Sequence, residues 1–387
     1  MSTTLNTEDA VRQRYALAAE AREESLCCPV DYDAKYLKVI PQEVIDRDYG
    51  CGDPSKYVSV GETVLDLGSG GGKICFIASQ VVGPTGRVIG VDMNDTMLDL
   101  ARRSQPVVAA TVGHDNVTFC KGKIQDMAID RDKVDEYLKQ NPITSEQALQ
   151  RYEAYLADQR LNSPMIPDNS VDVVVSNCVL NLVDASEKEQ LFEEIFRVLK
   201  PGGRAVISDI VSDEYVPKHL QDDADLWSGC ISGAFQETEF LDAFEFAGFY
   251  GISMPILQVQ PWQTVEGIEF RSATVIAYKG KEGPCFEHHE AVIYRGPYAT
   301  VSDDNGHVFE RGVRTAVCRK TFKIMTAGPY AGDFIPVEPR VPISGENAEP
   351  FECSGGAELR SPKVTKGAGY AATIQAEDNC CGDGDCC

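Results

Sequence analysis

Positive charge is scarce in this chain. Its 36 lysines and arginines face 60 aspartates and glutamates, a formal net charge of −24 over 387 residues. Nucleic acid rewards a basic face, so this balance argues against that partner. It argues equally against an anionic membrane surface. Long hydrophobic runs are also missing, and no stretch approaches the roughly 20 apolar residues that span a bilayer. The first 25 residues, MSTTLNTEDAVRQRYALAAEAREES, lack the apolar centre and small-residue cleavage site of a secretory signal. A cytosolic protein is therefore expected. Histidine is sparse too, at five residues, and no repeat of solenoid length is present. Cys-x-x-Cys pairs, the usual spacing of structural zinc, do not occur.

Cysteine itself is abundant, with 14 residues. In a reducing compartment such a surplus points to metal, metalloid or catalytic use rather than a disulfide framework. Some of these thiols will simply pack as small hydrophobes.

The order of apolar runs predicts an α/β architecture. TVLDL at 63–67, RVIGV at 87–91, VTFCK at 117–121, VDVVVS at 171–176 and the run 204–209 read as strands. Helical stretches at 73–81, 94–104 and 186–199 separate them, the last stopped by Lys200-Pro-Gly-Gly. Alternation of this kind gives a doubly wound parallel sheet that binds ligands at the carboxyl ends of its strands. Four regions are expected. A helical lead-in covers 1–48. The sheet domain covers 49–255 and carries a charged helical insertion at 131–160. A small β-rich domain covers 256–339, with a hairpin turn at Asp303-Asp-Asn-Gly306. A loosely ordered tail covers 340–387 and ends in the pairs Cys380-Cys381 and Cys386-Cys387.

Asp66-Leu-Gly68-Ser69-Gly70-Gly-Gly72 follows the first strand and opens a helix. Its glycines let backbone amides approach a ligand, and Asp92 at the end of the next strand can accept the hydroxyls of a ribose. A dinucleotide site would place its third glycine one residue later. The early glycine fits the methyltransferase version, so Asp66, Gly68, Ser69, Gly70, Gly72, Asp92 and Met93 are candidate S-adenosylmethionine residues. Ile124 and Gln125, just past the third strand, lie where an adenine ring would sit. Asn177 ends the fourth strand.

At that same end, nitrogen methyltransferases place an Asn/Asp-Pro-Pro-aromatic segment. This chain has Asn177-Cys178-Val-Leu-Asn181 instead. Cys230 lies in Gly229-Cys230-Ile-Ser-Gly233 after the fifth strand. Cys51 lies between two glycines, and Cys27-Cys28 precede a proline. Any one of these is a core residue by default. Together, three loops bring thiols toward one end of the sheet, and thiolates gather round soft metals and metalloids.

These residues carry a family resemblance. Tyr-Gly-Cys51-Gly-Asp-Pro, Leu-Asp-Leu-Gly-Ser-Gly-Gly-Gly, Val-Ile-Gly-Val-Asp92-Met, Ser-Asn-Cys178-Val-Leu-Asn-Leu, Leu-Lys-Pro-Gly-Gly-Arg and Ser-Gly-Cys230-Ile-Ser-Gly-Ala resemble the arsenite methyltransferase family over about residues 49–250. Residues 285–338 resemble its small C-terminal domain more weakly. The resemblance implies a class I methyltransferase fold, S-adenosylmethionine as methyl donor, and arsenite or methylated arsenicals as substrate. It implies that Cys178 and Cys230 hold arsenic and that Cys51 is the third thiol, exchanging as a disulfide with Cys28 or Cys27. It also implies thioredoxin or glutathione as reductant and a monomeric enzyme. The 131–160 insertion and the lead-in around Cys27 depart from the family pattern.

Two other readings stand beside this one. The acceptor could be selenium, tellurium or an organic thiol, or the chain could bind a metalloid without catalysis. His288 and His289 read as structural or surface residues. The terminal cysteine pairs suit metal capture, with a dispensable tail as the alternative.

Overall fold

The structure is a computed structural model, and it describes residues 7–20, 23, 26, 30–280, 283–353, 358–367 and 369–373. The chain divides into two units, Met1–Lys281 and Glu282–Cys387. The first opens with helix α1 (Thr7–Glu20) and the short helices α2 (Ala34–Leu37) and α3 (Gln42–Asp46). Strands and helices then alternate as β1 (Thr63–Leu67), α4 (Lys73–Val82), β2 (Arg87–Asp92), α5 (Asp95–Val112) and β3 (Val117–Lys121). Helices α6 (Arg131–Gln140) and α7 (Glu146–Asn162) follow, then β4 (Val171–Asn177), α8 (Lys188–Val198) and β5 (Leu199–Ser212). The unit closes with α9 (Lys218–Gln221), α10 (Ala224–Ser228), β6 (Phe235–Gln236), α11 (Glu237–Phe246), β7 (Phe249–Leu257), β8 (Gln263–Val265) and β9 (Ile268–Lys279).

These strands form one sheet in the order β3-β2-β1-β4-β5-β9-β7. The first five run parallel, and β9 is antiparallel to both β5 and β7. This is the expected doubly wound, Rossmann-like sheet. The direction of winding reverses between β1 and β4, which leaves a crevice at their carboxyl ends. Side chains alternate across it. In β4, Val171 and Val174 enter one core while Val173 and Val175 enter the other. Each such fully buried valine contributes about 1.5 kcal/mol or more. That two-sided burial is why the strand reads as an unbroken β-branched run.

Three expectations change. The run Ser272–Tyr278 belongs to β9 of the large sheet, not to a second domain beginning at 256. Its alternate residues Val275 and Ala277 are fully buried, and it pairs with β5 along nine residues from Phe270 to Tyr278. Helix α5 runs past Pro106 to Val112, because Leu98, Ala101, Ser104 and Val108 keep one buried stripe going through it. The 131–160 insertion is two helices, broken between Gln140 and Glu146.

The second unit holds β10 (Ala291–Tyr294), β11 (Thr300–Ser302), β12 (Val308–Glu310), β13 (Arg314–Ala316), α12 (Arg319–Met325), β14 (Phe334–Val337) and α13 (Pro362–Lys366). Its three-stranded sheet has the order β13-β10-β14, and β11 pairs with β12. The hairpin turn closes as expected, with Gly306 N–H donating to the Asp303 carbonyl at 3.0 Å. Val292, Tyr294, Phe309, Phe322 and Phe334 make its core. Part of the segment expected to be loose is built into this unit. Arg360 is buried and donates twice to the Glu287 carboxylate, at 2.9 and 2.8 Å. The cysteine pairs at 380–387 lie outside the described residues, as do Cys27 and Cys28. Among the described residues, no helix is long and apolar enough to cross a membrane.

Candidate functional site

The glycine loop hangs from the second strand. Gly68 and Ser69 donate their N–H groups to the Val91 carbonyl at 2.8 and 3.0 Å. Gly68 has φ +66°, and a Cβ there would lie 2.4 Å from Val179 Cγ1. Both facts require glycine. Asp92 accepts Gly70 N–H through Oδ2 and Asn94 N–H through Oδ1, each at 2.8 Å. The loop and the acid are thereby one rigid piece. They line a cleft of about 1140 Å³, open mouth included, together with Asp66, Met93, Ile124, Gln125 and Asn177. Gly72 does not face the cleft; it starts α4.

Two buried acids give the cleft its character. Burial pushes the Asp66 carboxyl up to about 8, although the Cys75 thiol donates to it at 3.2 Å and pulls it down. Burial also raises Asp92, against the backbone N–H groups that favour its charged form. A cationic ligand would relieve both. The Ser69 hydroxyl is buried without a partner.

Three thiols meet in a buried cluster that reaches this cleft through Cys178. Cys178 lies at its edge, immediately after β4. Cys51 arrives on the loop before β1, and the two sulfurs form a disulfide with Cα atoms 5.8 Å apart. Asn177 holds that loop. Its Oδ1 accepts the N–H groups of Cys51 and Gly52 at 2.9 Å each, and its Nδ2 donates to the Gly52 carbonyl at 2.8 Å and the Tyr32 hydroxyl at 3.1 Å. A Cβ at Gly50 would lie 2.0 Å from Asn177 Nδ2, and one at Gly52 would lie 2.5 Å from Ser208 Oγ. Cys51 has glycine on both sides because the chain passes that close.

Cys230 follows α10 and packs with Cys51 and Cys178 in one buried cluster. Its thiol donates to the Cys178 carbonyl at 3.4 Å and lies 3.8 Å from the Tyr15 hydroxyl. Cys178 and Cys230 have φ of +61° and +63°. Left-handed backbone costs a residue with a Cβ about 1 kcal/mol or more, and such strain gathers at functional sites.

A family model described as a methyltransferase domain matches residues 59–158 and 139–248, and a domain of unknown function (DUF8838) matches residues 281–370. The arsenite methyltransferase of Aquipseudomonas alcaligenes is 30% identical over 329 residues, covering 80% of this chain and 84% of that protein. The chain belongs to the arsenite methyltransferase family. The human arsenite methyltransferase is 29% identical, covering 80% of this chain and 76% of its own. The crystal structure of an arsenic(III) S-adenosylmethionine methyltransferase from Chlamydomonas reinhardtii shares the fold. Its TM-score is 0.54 at 24% identity, with 84% of this chain and all of that one covered.

S-adenosylmethionine is the cofactor of this family member, and the cleft fits it. The donor carries a sulfonium and an ammonium, which suit two acids held above their ordinary range. Its ribose suits Asp92, and the buried Ser69 hydroxyl of the glycine loop remains to be partnered. Gln125 donates to Glu187 at 2.9 Å and lines the cleft together with Ile124, the pair expected at an adenine ring. Asn177, expected at the cofactor, lines the cleft with its hydrogen-bonding capacity already spent on the Cys51 loop.

Two contributors are silent in the family motifs. Asp209, fully buried in β5, accepts from Leu180 N–H, Asn181 Nδ2 and Ile210 N–H, each at 2.8 Å. It brings a carboxylate oxygen within 4.8 Å of the Cys51 and Cys178 sulfurs, and burial lifts it to about 6. A lone acid inside Arg-Ala-Val-Ile-Ser-Asp-Ile-Val was the available signal. Helix α1 supplies Glu8, Val11, Arg12 and Tyr15 to the cleft wall. Its Arg14 donates to the Asp225 carbonyl at 2.7 Å and Ser228 Oγ at 3.0 Å, clasping the segment that presents Cys230. The expected partner of Cys51 was Cys27 or Cys28; among the described residues it is Cys178.

Proposed function

We infer that Cys51, Cys178 and Cys230 hold trivalent arsenic beside the cleft while this family member methylates it. The observation that carries the reading is the convergence of these three thiols in one buried cluster that Cys178 brings to the cleft, two of them on strained backbone. When bound, S-adenosylmethionine supplies an electrophilic sulfonium methyl to the arsenic lone pair. The chain's own residues position and exclude water. The glycine loop and Asp92 fix the nucleoside end, Asp66 faces the cationic end, and Asn177 fixes the Cys51 loop. Positioning of this kind supplies most of the rate. No general base is required, because the arsenic lone pair bears no proton, and this agrees with a histidine-poor chain.

The structure holds the disulfide-closed form. Two thiols of a reductant must open Cys51–Cys178, leaving with one disulfide of their own, before both sulfurs can bind arsenic. Methylation raises arsenic from the trivalent to the pentavalent state. Re-closure of the disulfide gives those two electrons back. Thioredoxin or glutathione, reductants of the cytosol, fit this exchange. A monomer suffices, since every residue named comes from one chain.

The test combines the full chain, arsenite, dithiothreitol and labelled S-adenosylmethionine. Methylated arsenic is the expected product. Cys178→Ser should lower it by about a hundredfold or more while cofactor affinity persists. Absence of product from the wild type, with cofactor binding shown by calorimetry, overturns the reading.

A further inference from the structure

The second unit holds another gathering of thiols. Cys285, Cys318 and Cys353 place their sulfurs within 4.8 Å of one another. They come from three chain segments. Phe286, next to Cys285, bridges Pro350, and Phe351 N–H donates to the Cys285 carbonyl at 2.9 Å, so the segments carrying Cys285 and Cys353 run side by side. Cys318 precedes α12, and its sulfur accepts Thr321 N–H at 3.4 Å. Arg319 N–H donates to the Phe286 carbonyl at 3.1 Å, which ties this third segment to the first. Buried Arg360, paired with half-buried Glu287, braces the same strip.

Three thiols on braced segments make a preorganised site. Cys318 is buried and the other two are half-exposed, so the group can be loaded from solvent. An open pocket of about 620 Å³, mouth included, borders Cys353. Among the described residues no fourth Cys, His, Asp or Glu joins the cluster. Zinc prefers four ligands in a tetrahedron, and three thiolates around it leave a net negative charge. In a chain of net charge −24 that charge is costly. Trivalent arsenic takes three thiolates, keeps its lone pair in the fourth direction and gives a neutral complex.

We propose that Cys285, Cys318 and Cys353 form a second site for trivalent arsenic, separate from the three thiols at the cofactor cleft. Arsenite enters as the trihydroxide. Three As–O bonds break and three As–S bonds form. The three thiol protons leave with the three hydroxides as water, and nothing is oxidised or reduced. The family's activity supplies the identity of the ion; the site rests on the cluster alone.

The experiment uses the reduced full chain, its C285S/C318S/C353S variant and its C51S/C178S/C230S variant. Each is loaded with arsenite, desalted and assayed for arsenic and zinc by plasma mass spectrometry. The C285S/C318S/C353S variant should carry one arsenic fewer per chain than the wild type. In the wild type and in the C51S/C178S/C230S variant, arsenite should slow iodoacetamide labelling of Cys285 and Cys353 by about tenfold or more. In the wild type this labelling needs no folded variant, and in the C51S/C178S/C230S chain it is read once folding is confirmed by circular dichroism. Equal arsenic in wild type and a folded C285S/C318S/C353S chain overturns the proposal. So does labelling that arsenite does not slow, or protection that disappears with Cys51, Cys178 and Cys230. One zinc per purified chain, lost in the C285S/C318S/C353S variant, also overturns it, by showing a structural zinc site. Failure to methylate arsenite leaves these readouts untouched.

Discussion

The side-chain oxygen of Asn177 accepts the backbone N–H of Cys51 at 2.9 Å, across 126 positions of sequence. One amide thus joins the end of β4 to the loop before β1. Cys178 is the next residue, so the contact that fixes Cys51 also sets its distance from its disulfide partner.

Asn177→Ala should therefore damage the chemistry more than the fold. It removes three hydrogen bonds to the loop that carries Cys51, a proposed arsenic ligand, and a fourth to the Tyr32 hydroxyl. Loss of each costs about 1 kcal/mol in principle, with part of it recovered by water. Misplacing the thiol by an ångström costs up to roughly a hundredfold in rate. The expected outcome is a fall in kcat of about tenfold to a hundredfold, with cofactor affinity close to wild type. Calorimetry for the cofactor and product analysis for arsenic check it. An equal loss of both would assign Asn177 to the cofactor instead.

Gly68→Ala should abolish cofactor binding. The new Cβ meets Val179 at 2.4 Å, on backbone of φ +66°. Strain alone costs about 1–2 kcal/mol, and the overlap adds to it. A lower melting temperature and loss of cofactor binding in titration are expected. Wild-type affinity in this variant would mean that the loop is not the cofactor's cradle.

Asp66 predicts a pH dependence. Burial places its folded carboxyl at about 8, against an ordinary 3.8. Between those values the folded chain holds a proton that the unfolded chain has lost. Its contribution to stability is complete below about pH 4 and is lost as pH rises through about 8. Melting temperatures of the wild type should fall relative to Asp66→Asn across that window. A cationic cofactor favours the ionised acid, so binding near pH 7 should release protons. Affinity should rise with pH, by at most about tenfold per unit for one proton, and level off above about 8. Calorimetry in buffers of different ionisation enthalpy measures the release. No difference between buffers, or an unchanged profile in Asp66→Asn, would remove Asp66 from the cofactor's cationic end.

Much of this was legible along the chain because it is local. The five parallel strands announce themselves as short apolar runs; the inner four are buried on both faces, and β3 at the edge buries Val117 and Phe119 on one. The glycine loop is legible because its demand for positive φ falls on one residue type. The antiparallel pair β7 and β9 was harder. Ser272–Tyr278 alternates as a strand should, but alternation says nothing about which sheet receives it. Nor does Pro106 end α5, because the buried stripe on either side of it outweighs one missing hydrogen bond.

By itself the sequence determined the cofactor fold, the acid at the end of β2 and the three thiols destined for one end of the sheet. These follow from residue types at short spacing, where propensity and steric freedom decide the outcome. The tertiary structure decided who meets whom. It joined Cys51 to Cys178, assigned Asn177 to the Cys51 loop, buried Asp209 beside that pair and gathered Cys285, Cys318 and Cys353 from three distant segments. Such contacts depend on how whole strands pack, and no local rule of spacing carries that information.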